Sequence, residues 1–134
     1  METNIIEVIL SVEVLNKSVV ANLSFRNKSE RNIYANKQVM YFDGRVKNDY
    51  FEIINSKGIK IRYLGVMSNC TRMPDEYILL GPDEIINSSI SLEKSYELKE
   101  DESYGIKYYA FNPSFQQEQQ QLIEMQSNVV QISY

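Results

Sequence analysis

Three acidic pairs, Asp75-Glu76, Asp83-Glu84 and Asp101-Glu102, carry the side chains whose types could do chemistry. Calcium takes about six to eight oxygen ligands, and two carboxylates in a shaped cleft can divide acid and base work. None of the pairs has the spacing of a calcium loop, and all three fall in segments that read as turns. Solvated turn carboxylates are therefore the stronger reading. Cys70 is the only cysteine, which excludes an intrachain disulfide and a multi-thiolate metal site, and nothing near it marks an activated thiolate. The chain has no histidine. Ser-His-Asp and Cys-His catalysis, histidine metal sites and the commonest general base near neutral pH are excluded with it. The residues thus predict a chain that is not an enzyme and that takes no cofactor or metal.

Binding is the better prospect. Ten tyrosines and no tryptophan give many side chains that join a large apolar face to a polar tip. Most are expected to pack inside; the candidates for an exposed aromatic anchor are Tyr41, Phe42 and Tyr109. Residues 65–76 lack an apolar period and read as a long exposed loop, in which Met67, Arg72 and Met73 are candidate anchors. An ordinary connection between sheets is the alternative. A net charge of −4 gives no attraction to phosphate backbones and no basic cluster offsets it, so a protein is the expected partner and nucleic acid is not.

The opening Met1-Glu2-Thr3-Asn4 lacks a positive leader region, and Glu7 interrupts the apolar stretch from Ile5 to Leu10. As written the chain reads as cytoplasmic, without membrane insertion; with a leader removed it would be periplasmic or secreted. Asn22-Leu23-Ser24, Asn27-Lys28-Ser29 and Asn87-Ser88-Ser89 match glycosylation triplets, which an Asn- and Ser-rich chain produces readily by chance.

The elements that must position these residues are strands. Ile6, Val8, Leu10, Val12 and Val14 alternate with polar positions, Asn16-Lys17 turns the chain, and Val19, Ala21, Leu23 and Phe25 alternate again. A less regular strand is expected between Ile33 and Phe42, then a hairpin of 50–54 and 59–64 turning at Gly58. Tyr77 to Leu80, the set Ile86, Ser88, Ile90 and Leu92, the set Tyr104, Ile106, Tyr108 and Ala110, and Val130 to Tyr134 complete the pattern. Residues 115–126 fit a helix or a long hairpin excursion equally well. Turn signals at near-regular spacing, with no βα alternation, predict one domain over 1–134: an all-β, immunoglobulin-like antiparallel β-sandwich of about 7–9 strands.

Three blocks carry a resemblance: Phe51-Glu52-Ile53 through Gly58 to Ile61-Arg62-Tyr63-Leu64-Gly65; Tyr77-Ile78-Leu79-Leu80-Gly81-Pro82-Asp83-Glu84; and Ser95-Tyr96 through Tyr104-Gly105-Ile106-Lys107-Tyr108 to Ser127-Asn128-Val129-Val130. Together they resemble the immunoglobulin-like domain preceding the catalytic domain of deuterolysin-class lysine-specific metalloendopeptidases. The stretch from Asn22 to Arg31 is similar to a hairpin of the bacterial intracellular proteinase inhibitors. The chain departs from the peptidases in lacking any paired-histidine helix. The resemblance implies a freestanding sandwich that accompanies or restrains a protease, and a tyrosine-corner role for Tyr104. The expected function is a bacterial inhibitor or immunity-type protein that neutralises a protease or toxin by stoichiometric binding, as a monomer or weak dimer. A self-associating adhesive module or a carbohydrate-binding sandwich is the alternative.

Overall fold

The N-terminal alternation folds as a hairpin of β1 (Ile6–Leu15) and β2 (Ser18–Asn27), paired from Ile6↔Asn27 to Leu15↔Ser18. Its two-residue turn is possible because Asn16 takes a φ of 56°, a left-handed conformation that asparagine tolerates. The computed structural model describes residues 2–68, 73–113 and 122–134. The remaining strands are β3 (Ile33–Asn36), β4 (Phe51–Asn55), β5 (Tyr77–Leu80), β6 (Ile85–Ser91), β7 (Ser103–Asn112), β8 (Ile123–Gln126) and β9 (Val130–Ser133). Single 3-10 turns at Pro74–Glu76 and Leu92–Lys94 are the helical pieces among the described residues.

One layer is the antiparallel sheet β1-β2-β6. In the second layer β4 lies on one side of β7, while β8 and β9 share its other side in succession. β3 and β5 form a two-stranded sheet, and the Asn112 side chain ties β3 to the end of β7 through Asn36 N–H and the Tyr34 carbonyl. Period-two patterning supplies the core: Val19, Ala21, Leu23 and Phe25 from β2 and Tyr104, Ile106, Tyr108 and Ala110 from β7 are all buried. Each large apolar side chain so buried stabilises the fold by roughly 1.5–3 kcal/mol. The rings of Phe25 and Tyr108 pack in a T-shape at a centroid distance of 5.3 Å, joining the two layers. At the side, Asn128 accepts from Leu10 N–H at 2.8 Å and donates to its carbonyl at 3.0 Å, and Val8 bridges Ser127 in parallel. The result is the all-β antiparallel sandwich expected from the sequence, with nine strands among the described residues.

Tyr104 opens the buried face of β7, and its hydroxyl accepts from Lys99 N–H at 2.8 Å, five residues upstream. This is the tyrosine-corner contact, which pins the connection before β7.

Two expected strands differ. The strand foreseen between Ile33 and Phe42 ends at Asn36, whose side-chain carbonyl accepts from the N–H groups of Gln38 and Val39 at 3.0 and 3.2 Å. That local cap competes with the ladder and turns the chain. The second arm of the 50–64 hairpin forms its turn but no strand. Gly58 adopts a φ of 81° and Ile61 N–H reaches the Ile53 carbonyl, but Leu64 and Arg62 bond instead to Ser95 and Glu97. The segment crosses between two neighbours too quickly to build a ladder with either. Of the ambiguous 115–126 stretch, Ile123–Gln126 is β8, and 115–121 lie outside the described residues.

Candidate functional site: an aromatic rim over a buried tyrosine

The turn that Asn36 initiates runs from Lys37 to Gly44 and is closed by its own backbone. Phe42 N–H donates to the Lys37 carbonyl at 2.9 Å, and Gly44 N–H to the Tyr41 carbonyl at 2.8 Å. Tyr41 sits in this turn with a φ of 52°, a strained value for a bulky side chain. Its surroundings over-determine it. The ring is fully buried, stacked on Phe51 with planes 2° apart and centroids at 5.7 Å, and its hydroxyl donates to the Asn48 carbonyl at 2.7 Å while accepting from Tyr50 N–H at 3.1 Å.

Tyr41 is therefore corrected from surface anchor to core residue: a polar tip bonded to backbone on both sides lets it be buried without cost to the hydroxyl. Val39, Met40 and Tyr41 are all buried, and the chain emerges at Phe42. Phe42 is 44% exposed, and the Lys37 ammonium lies 5.8 Å from its ring centroid.

The same ammonium donates to the Asp75 carbonyl at 3.0 Å, and Lys37 N–H to the Glu76 carbonyl at 2.8 Å, so the 3-10 turn 74–76 is fastened to the Phe42 turn. Between them lies a groove of about 230 Å³ lined by Lys37, Phe42, Asp43, Lys47, Asp75 and Glu76. Lys47 pairs with Asp43 at 3.2 Å, and its carbonyl accepts from Ser68 N–H at 2.9 Å. Met67 and Met73, 72% and 61% exposed, adjoin these two fastened points. Phe42 thus lines the groove, while Met67 and Met73 lie next in the chain to Ser68 and Pro74, which approach it. Arg72 and Cys70 lie outside the described residues.

No family model matches this chain. Nor does any curated protein match it in sequence.

Tyr109 stands apart from the rim, on the outer face of β7. Its hydroxyl donates to Glu124 at 2.7 Å, its ring meets Phe111 edge-on at 5.5 Å, and the Lys107 ammonium lies 5.7 Å from its centroid. The hydrogen bond to the Glu124 carboxylate, with partial loss of water, holds the Tyr109 phenol above its ordinary value. Beside it, Glu52, Ile54, Gly105, Lys107, Val129 and Gln131 surround a second, open groove of about 350 Å³. Gly105 inside an otherwise regular strand was the one sequence signal for this groove.

The acidic pairs serve turns. Asp83 and Asp101 take left-handed φ values of 63° and 64°, and Glu84 accepts from Gly81 N–H at 2.6 Å. Among the described residues no three of His, Cys, Asp or Glu come together as metal ligands would. No described helix is long and apolar enough to cross a membrane.

Proposed function

We propose that this chain is a non-catalytic protein-binding domain of the inhibitor or immunity type, which neutralises a protease or toxin by stoichiometric binding through the rim around Phe42. The observation that carries the reading is the coupling of a strained, fully buried Tyr41 to an exposed Phe42. Strain of this kind persists where the surroundings enforce it, and here the turn that holds it also carries a half-exposed aromatic ring. A preordered aromatic anchor costs little entropy on binding, and aromatic anchors ringed by less energetic contacts are what protein interfaces use as hot spots. The mixed charges of Lys37, Lys47, Asp75 and Glu76 supply a polar surround, and the adaptable thioethers of Met67 and Met73 supply apolar area. The resemblance to protease-associated immunoglobulin-like domains points the same way.

The test titrates purified chain against serine, cysteine and metallo-peptidases, and against toxins encoded beside its own gene. The reading expects one target to lose activity at a one-to-one ratio, with Phe42→Ser restoring it. If none of these proteins is inhibited or bound, the reading fails.

A further inference from the structure

The outer face of the β4-β7-β9 sheet is complementary to itself. Register places Glu52 directly across from Lys107 and, one step along the same face, Ile54 across from Gly105. Each row therefore holds a feature and its complement on adjacent strands: a carboxylate beside an ammonium, and a branched apolar side chain beside a position with none. Ile54 is 44% exposed, and the space above Gly105 forms the floor of the 350 Å³ groove. A Cβ at Gly105 would meet the Gln131 amide at 3.0 Å, so the end of that flexible side chain leans over the notch and swings aside when an apolar group enters.

We propose that a second copy of this chain docks on this face, through a two-fold axis that lies in the interface, parallel to the strands, between β4 and β7. Face-to-face packing requires an axis in the interface plane, since only such an axis inverts the outward normal of the sheet. That operation sets the Glu52 of one copy over the Lys107 of the other and sets each Ile54 over the opposite Gly105 notch. All four contacts form together. The docked patch carries one charge of each sign, so it adds no like-charge contact to the repulsion between two chains of net charge −4. A single-sign partner would leave one of the two charges facing its like, whereas another copy matches both. Four residues per copy fall well short of the roughly 20–30 a side of a standard interface, so a dissociation constant on the order of 0.1 mM is expected. This surface is separate from the Phe42 rim, and the proposal stands independently of the target proposed above.

Sedimentation equilibrium of the full chain from about 10 µM to about 1 mM tests it. The average mass is expected to climb from 15.6 kDa toward twice that value. Lys107→Glu, which places four carboxylates in the interface, is expected to raise the dissociation constant at least about tenfold. The swap Glu52→Lys with Lys107→Glu restores every pairing and is expected to restore the dimer, with circular dichroism confirming the fold of each variant. Phe42→Ser is expected to leave the dimer intact. A chain that stays monomeric throughout, a dimer indifferent to Lys107→Glu, a swap that fails to recover association, or a dimer lost with Phe42→Ser would each overturn the proposal.

Discussion

The Tyr41 hydroxyl donates to the Asn48 carbonyl at 2.7 Å, seven positions along the chain, from a backbone held in the left-handed region. It also accepts from Tyr50 N–H, so a single buried oxygen closes the whole 41–50 loop. Removing that oxygen in Tyr41→Phe leaves the Asn48 carbonyl and the Tyr50 N–H with their mutual contact at 3.2 Å and without the hydroxyl that bonds both. The expected cost is about 0.5–1.5 kcal/mol, read as a lower urea midpoint with an unchanged slope. A midpoint equal to wild type would show that the loop closes without it.

Tyr104→Phe removes the hydroxyl that accepts from Lys99 N–H at 2.8 Å, and a loss of about 1–2 kcal/mol is expected. Hydrogen exchange should locate the change. Protection should fall at Lys99 and along the start of β7 while the β1-β2 hairpin keeps its own. Uniform loss across both layers would contradict a local corner.

Asn27 lies in a formal glycosylation triplet, yet it is fully buried, and its amide donates to the carbonyls of Arg31 at 2.8 Å and Leu80 at 2.9 Å. Asn27→Ala therefore removes both amide bonds, leaving the Arg31 carbonyl to the Ser29 hydroxyl at 3.1 Å, and is expected to destabilise by about 1–3 kcal/mol, lowering the thermal midpoint by several degrees. The exposed Asn87 makes a control. Asn87→Ala should shift stability by no more than about 0.5 kcal/mol.

Burial holds the phenols of Tyr41, Tyr96 and Tyr108 well above their ordinary value of 10.0. In the unfolded chain they ionise near that value; in the fold they stay protonated. Stability from this source is thus complete below about pH 10 and falls as pH rises toward the folded values, by about 1.4 kcal/mol per pH unit for each tyrosine. Tyrosinate absorbance should rise in a cooperative step coincident with loss of the strand circular dichroism signal. Smooth ionisation of all ten tyrosines around pH 10 with the fold intact would contradict it.

Phe42 is 44% exposed in a groove lined by polar side chains, so Phe42→Ser should change stability by no more than about 1 kcal/mol. Its effect belongs to target binding, where loss of a hot-spot aromatic is expected to cost at least about 2 kcal/mol, or roughly thirtyfold in affinity by titration calorimetry. A large fall in thermal midpoint would mark the ring as structural.

The sequence by itself determined the strands that alternate cleanly and the layers they imply. Ile6 to Leu10, Val19 to Phe25 and Tyr104 to Ala110 bury the faces their period assigns, because a one-residue slip would expose every apolar side chain at once. It also marked Tyr104 as a corner and Phe42, Met67 and Met73 as surface groups. It misplaced Tyr41, because an aromatic residue in an irregular segment carries no period, and whether its ring is buried depends on Phe51, Asn48 and Tyr50, which only the folded chain brings around it. The strand foreseen to Phe42 failed for a related reason, since the Asn36 side chain satisfied the backbone locally before a ladder could. Only the tertiary structure decided that Lys37 bridges Phe42 to Asp75, and that Glu52 stands opposite Lys107 with Ile54 opposite Gly105. Register and loop closure are relations between distant positions, and the energies that fix them come from groups absent from any local window.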